Sequence, residues 1–194
     1  MNVRITPMPL SGEIAAIPSK SDAHRLMILS ALSHGTTHVL LRRRSDDIDA
    51  TIVCLRALGA QIETGSDGMT VHGIHAFAED PLLNCRESGS TLRFLLPVAA
   101  VHCDTARFTG DGRLPERPIG ELTRAMRSHG VRFSSDRLPF STAGRLTGGD
   151  YEAAPEDIKQ PAQNYQQAQQ ADLLADPGKN IISVRVRRKE QPLP

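Results

Sequence analysis

Apolar and polar positions along the first 150 residues switch between a helical and a strand period. Pro18-Ser19-Lys20-Ser21 is a polar start to the apolar run Leu26-Met27-Ile28-Leu29 and Ala31-Leu32. This predicts a helix over about 21–33, capped by Ser19 or Ser21 and ended at His34-Gly35. Asn2–Ile5 and Glu13–Ile17 read as short strands before it, and β-branched Thr36–Leu41 reads as the strand after it. Ser45-Asp46-Asp47 opens a second helix in which Ile48, Ile52, Leu55 and Leu58 share one face, with Gly59 as its stop. The acidic pair suits the positive start of that helix and is read as structural. Gln61–Glu63 and Met69–His72 form a predicted hairpin across Gly65-Ser66-Asp67-Gly68. Glu87-Ser88-Gly89-Ser90-Thr91 is a second polar turn that leads into a helix over 92–101, where Pro97 predicts a kink or an early end. A strand at Ala106–Thr109, a charged loop over 110–118, a helix at Ile119–His129 and a strand at Val131–Phe133 complete the pattern.

The pattern repeats. Ser21–Leu40 slides onto Gly89–Phe108 at an offset of 68, which sets Arg25 on Arg93 and Leu26-Met27-Ile28 on Phe94-Leu95-Leu96. Asp47–Ile62 slides onto Pro118–Phe133 at an offset of 71, which pairs Ile48 with Ile119, Arg56 with Arg127 and Gly59 with Gly130. One β-α-β-α-β-β unit is therefore used twice, and such units bury their apolar faces against their copies. The repeat also places an arginine near the start of the first helix of each unit. A helix dipole disfavours a cation there, so a bound anion or a partner carboxylate is expected.

Composition narrows the classes. The 194 residues carry 39% hydrophobic and 4% aromatic residues with no Trp, so the core must be Leu, Ile, Val and Ala. A net charge of +1 argues against a nucleic-acid partner held by bulk charge. Cys54, Cys85 and Cys103 have no C-x-x-C spacing, which argues against a zinc site or a disulfide scaffold and fits a reducing compartment. No signal-peptide layout opens the chain, and the apolar run 94–101 is too short to span a bilayer, so a cytoplasmic protein without a membrane partner is expected. No G-x-G-x-x-G joins a strand to a helix and no Walker loop is present, which disfavours nucleotide sites.

The candidate chemistry is anion binding. Lys20, Ser21 and Arg25 lie at one helix start, where unpaired amides already favour negative charge. Gly89 and Ser90 lie at the other, with Arg93 one turn in. Gly89 lets the backbone approach a ligand closely. A capped surface helix with solvated cations is the plain alternative for the first stretch, and a solvated loop is the plain reading of Arg42-Arg43-Arg44.

Lys20-Ser21-x-x-x-Arg25, Glu87-Ser88-Gly89-Ser90-Thr91-Leu92-Arg93-Phe94 and Arg113-x-x-Glu116-Arg117-Pro118 together resemble the three N-terminal signatures of the EPSP synthase family, in order and spacing. The likeness covers about residues 3–150. The UDP-N-acetylglucosamine enolpyruvyl transferases, similar in fold, have Lys-Asn where this chain has Lys20-Ser21 and rank behind it. The resemblance implies an α/β fold of the inside-out barrel type, helices inside and sheets facing solvent, here incomplete. It implies transfer of the enolpyruvyl group of phosphoenolpyruvate to shikimate 3-phosphate, in the route to chorismate and the aromatic amino acids, without metal or organic cofactor. By motif match, Lys20 would touch both substrates, Ser21 and Arg25 would bind shikimate 3-phosphate, and Gly89 and Arg113 would hold phosphoenolpyruvate. Ser90 and Arg93 stand beside them as further candidates. Charge-assisted bonds of this kind contribute about 1.5–3 kcal/mol each. Ala23 stands where the family often has Ser.

The end of the chain departs from the family plan. Seven of the eight glutamines but only one of the fifteen glycines lie after residue 150, and no His, Phe or Met does. The family's Ser-Ser-Gln grip and its acid–base carboxylates have no counterpart, so no catalytic residue is assigned. Residues 1–150 read as the N-terminal part with two repeats, and 151–194 as a divergent polar tail, either disordered or of foreign or out-of-frame origin. Three readings follow: a truncated enzyme inactive alone, half of a split enzyme that needs a complementing C-terminal half, or a non-catalytic anion-binding fragment. An incomplete barrel is also expected to expose apolar edges.

Overall fold

The computed structural model describes residues 19–149. The chain divides after Asp150 into two units, and every described residue lies in the first. The strands expected at 2–5 and 13–17, and the whole tail, lie outside the described residues.

Among the described residues, four α-helices and seven strands follow one another, with a 3-10 turn at Leu114–Glu116. The first sequence repeat contributes α1 (Lys20–Leu32), β1 (Thr36–Leu40), α2 (Asp46–Leu58), β2 (Gln61–Thr64) and β3 (Gly68–His72). The second contributes β4 (Leu82–Asn84), α3 (Gly89–His102), β5 (Thr105–Thr109), α4 (Gly120–Ser128), β6 (Arg132–Phe133) and β7 (Phe140–Ala143). The sheets express the repeat directly. In the first, β3 lies between β1 and β2 and is antiparallel to both. In the second, β7 lies in the same way between β5 and β6, and β4 adds a parallel strand beside β5.

The strands alternate strictly enough to show which side is inward. Phe108 and Ala106 of β5 are buried while Thr105 and Arg107 are exposed, and in β7 Phe140 and Thr142 are buried while Ser141 is exposed. Helices α1, α2 and α3 pack on one another beneath this inward face. Met27, Leu55, Leu58, Leu92, Leu95 and Leu96 are fully buried there. The inside-out order is therefore present, but the two sheets do not close a barrel. Leu29, Leu40, Leu82 and Val101 are exposed. All three cysteines are free and buried. Among the described residues no helix is long and apolar enough to cross a membrane, and no cluster of His, Cys, Asp and Glu could hold a metal ion.

Three local expectations need correction. The first helix does not end at Gly35: Ser33 closes it in an extended conformation, its backbone and hydroxyl both donating to Ser30 O, so no left-handed glycine is required. Pro97 does not end α3, which continues to His102. A proline there forfeits one backbone bond, and burial of Leu92, Leu95, Leu96, Ala99 and Ala100 along the same helix outweighs that loss. Strands β4 and β7 are absent from the sequence pattern because each offers only three or four residues of mixed polarity, Leu-Leu-Asn and Phe-Ser-Thr-Ala.

Candidate functional site

The starts of α1, α2 and α3 meet, and the polar residues there are joined rather than scattered. Ser19 caps α1 by accepting from the Asp22 amide at 3.4 Å. Ser88 caps α3 by accepting from the Thr91 amide at 3.2 Å. Asp47, in the first turn of α2, lies between them: its Oδ2 pairs with Lys20 Nζ and accepts from Ser88 Oγ at 3.1 Å. Burial works against this carboxylate, but the bonds from Lys20 and Ser88 outweigh it and hold the carboxyl below its usual range. Asp47 is thus part of the site and not merely a partner of its own helix dipole.

Behind Asp47 the polar contacts continue into the core. Thr91 Oγ1 lies 2.8 Å from Ser88 Oγ and 2.7 Å from Thr51 Oγ1, and Thr51 Oγ1 lies 2.7 Å from His24 Nδ1. Both threonines also approach the Asp47 carbonyl, at 3.3 Å for Thr51 and 3.2 Å for Thr91. His24, Thr51 and Thr91 are fully buried. Burial lowers the His24 pKa; Asp47 opposes that shift while Lys20 and Arg25 reinforce it. Its Nε2 is a buried side-chain atom with no partner among the described residues.

The two repeated arginines share one geometry. Arg25 Nη1 donates to Ser21 O at 3.1 Å and Arg93 Nη1 donates to Gly89 O at 3.4 Å, each one turn back along its helix. Neither is paired with a carboxylate among the described residues. Arg25 instead lies over the Phe94 ring, 5.1 Å from its centre, and Arg93 reaches Pro118 O at 3.0 Å, which ties α3 to the loop over 110–118. A Cβ on Gly89 would stand 2.7 Å from Arg93 Nη1 and 3.2 Å from Arg117 Nη1. Two guanidinium groups therefore face the bare first turn of α3, where a planar fork suits carboxylate or phosphate.

The remaining candidates are less closely joined. Ser21 is exposed and Ser90 is half-buried. Arg113 does not touch the others: its side chain is 86% exposed, with only a 3.9 Å approach to Glu116. Its backbone is fixed, because Glu87 Oε1 accepts from the Arg113 amide at 3.1 Å, two residues before Gly89. Gly112 makes that bond possible, with φ +53° and space for a Cβ already filled by the Glu87 carboxylate at 1.6 Å. Glu87, Thr91 and Arg117 stand within the sequence motifs without an assigned role, Asp47 reads there as structural, and His24 and Thr51 carry no reading. His24 carried a signal, since it shares the α1 face of Met27, Ile28 and Ala31, and a buried ring needs a polar partner.

The sequence profile of the family EPSP synthase (3-phosphoshikimate 1-carboxyvinyltransferase) matches residues 5–186. The chain belongs to the EPSP synthase family. That match runs past the change in composition at residue 150. Among curated relatives, the 3-phosphoshikimate 1-carboxyvinyltransferase of Clostridium kluyveri is 37% identical over 152 residues, covering 77% of this chain and 36% of the relative. That of Clostridium beijerinckii is 39% identical over 160 residues, covering 77% of this chain and 37% of the relative. The solved EPSP synthase from Acinetobacter baumannii superposes with a TM-score of 0.64 at 26% identity, over 75% of this chain and 36% of that one. The chain spans a little over a third of the length of the curated relatives it matches. Over that third, the chain shares its fold with the solved EPSP synthase.

Proposed function

We propose that this chain supplies the anion-binding half of an EPSP synthase site, the reaction being transfer of the enolpyruvyl group of phosphoenolpyruvate to the 5-hydroxyl of shikimate 3-phosphate with release of phosphate. We assign that role to residues 1–150 and none to 151–194. Family membership supports the substrates. The observation that carries the reading is the meeting of the α1 and α3 starts, with Lys20 joined through Asp47 to Ser88, and with Arg93 and Arg117 facing Gly89. Ser21 and Arg25 would hold shikimate 3-phosphate, Gly89 and Arg113 phosphoenolpyruvate, and Lys20 both, with Ser90 and Arg93 beside them.

A second observation favours binding without turnover by this chain alone. Two of the nearby carboxylates are committed, Asp47 to Lys20 and Ser88, and Glu87 to the Arg113 amide. Proton transfer would then fall to a complementing C-terminal half, the same chain or another polypeptide. Titration calorimetry of the full chain with shikimate 3-phosphate, with and without phosphoenolpyruvate, tests the reading. Micromolar binding is expected, weakened tenfold or more in Arg25→Ala as about 1.5–3 kcal/mol of charge-assisted bonding is lost. Absence of binding up to millimolar ligand, or equal binding by the variant, refutes it.

A further inference from the structure

The short contacts of the polar chain behind Lys20 constrain its proton order once Asp47 is ionised. Four contacts join five residues: His24 Nδ1 to Thr51 Oγ1 at 2.7 Å, Thr51 Oγ1 to Thr91 Oγ1 at 2.7 Å, Thr91 Oγ1 to Ser88 Oγ at 2.8 Å, and Ser88 Oγ to Asp47 Oδ2 at 3.1 Å. Each hydroxyl has one proton, and an ionised carboxylate only accepts. Ser88 must donate to Asp47, which leaves it to accept from Thr91. Thr91 has then spent its proton and accepts from Thr51, and Thr51 in turn accepts from His24. The fourth proton is therefore the one on His24 Nδ1. If Nδ1 accepted instead, three hydroxyl protons would have to fill four short contacts and one would stay empty. With Nδ1 protonated in a neutral ring, Nε2 carries a bare lone pair, in keeping with its lack of a partner among the described residues.

We propose that His24 is a positioning residue whose Nδ1–H, acting through Thr51, Thr91 and Ser88, keeps the Ser88 proton on Asp47 and so holds Asp47 against Lys20. With that donor removed, Thr51 Oγ1 accepts from nothing in the first order, and a second order that gives it a donor gains ground. Ser88 can donate to Thr91, Thr91 to Thr51, and Thr51 to the Asp47 carbonyl at 3.3 Å. All three hydroxyls are then satisfied, but Oδ2 of Asp47 has lost a donor and its grip on Lys20 loosens. The structural claim stands on the geometry; its consequence for ligand binding rests on the reading of Lys20 as a substrate ligand.

Nitrogen-15 NMR of the His24 ring in the full, unsubstituted chain reads the tautomer directly. Nδ1–H is expected at neutral pH; an Nε2–H ring or an imidazolium overturns the proposal. His24→Leu removes the donor, while His24→Asn keeps an N–H near the Nδ1 position. In H24L the Asp47 carboxyl, followed by carbon-13 NMR, should titrate higher than in the unsubstituted chain. Shikimate 3-phosphate affinity should fall about fivefold, the scale of a half-exposed ion pair. H24N should restore both. An unmoved Asp47 titration in H24L, or an H24N as impaired as H24L, overturns the proposal. Should the unsubstituted chain bind no shikimate 3-phosphate while the tautomer and the Asp47 titration behave as expected, the substrate reading fails and the positioning role stands. The tautomer needs no variant, so misfolding of H24L leaves the proposal open to refutation.

Discussion

Replacing Thr91 with Val removes one hydroxyl from the buried chain and leaves the side chain nearly the same size. Thr91 is fully buried, and its Oγ1 makes short contacts with Thr51 at 2.7 Å and Ser88 at 2.8 Å. The partners are not left wholly bare. Thr51 still has the Asp47 carbonyl at 3.3 Å, and Ser88 still has Asp47 Oδ2 and the Thr91 amide. The cost should therefore lie toward the lower end of the range for disrupting a buried hydrogen bond, about 1–2 kcal/mol. The new methyl group recovers little, because it faces Ser88 Oγ and the Asp47 carbonyl rather than apolar carbon. Urea unfolding followed by circular dichroism gives the loss as a shift in midpoint at constant slope. A cycle with Thr51→Val sharpens the test. Each single change takes one partner from the other threonine, whereas the double change removes both sides of their shared contact. The double variant should cost less than the two singles together, by at least about 0.5 kcal/mol. A neutral Thr91→Val, or costs that simply add, would refute the connected chain.

Two further outcomes follow from the site. Gly112→Ala should displace the Glu87 carboxylate, since the added Cβ falls 1.6 Å from Oε1 at φ +53°. It should weaken phosphoenolpyruvate binding more than shikimate 3-phosphate binding, as calorimetry with each ligand would show. The second outcome concerns pH. Burial holds His24 below its ordinary pKa of 6.5, so just below pH 6.5 the unfolded chain takes up a proton that the folded chain refuses. Stability should fall as pH drops through that window toward the folded value. His102, also lowered by burial, adds to the slope. Asp47, held below 3.8, contributes stability above that pH that is lost on further acidification through its folded value. Unfolding free energies measured between pH 7 and pH 5 should show a shallower slope in H24N, and equal slopes would contradict a buried neutral His24.

Much of the fold was legible because it is written in period and repetition. The face of Ile48, Ile52, Leu55 and Leu58 predicts α2, and all four are buried. Asp67-Gly68 predicts the β2–β3 hairpin, closed by a 2.8 Å bond from the Gly65 amide to Gly68 O. The matched offsets anticipate two units whose sheets share one strand order. Pro97 misled because a local rule gave way to burial along the rest of α3. The motif residues at the site were legible as types, not as a connected set. Arg25 and Arg93 suggested anions or carboxylates, whereas each donates to a carbonyl one turn back and then to a ring or a loop. Asp47 and Ser88 lie 41 residues apart, and Thr51 and Thr91 lie 40 apart. Contacts of that separation arise from packing three helix starts together, which no single window of sequence contains.

Amide chemical-shift mapping of the full chain on addition of shikimate 3-phosphate bears most directly on the half-site at the α1 and α3 starts. The expected result is a saturable set of shifts over residues 19–25 and 87–93, reduced in Arg25→Ala. Saturable shifts centred elsewhere, such as the arginines at 42–44, or none at millimolar ligand, would contradict it.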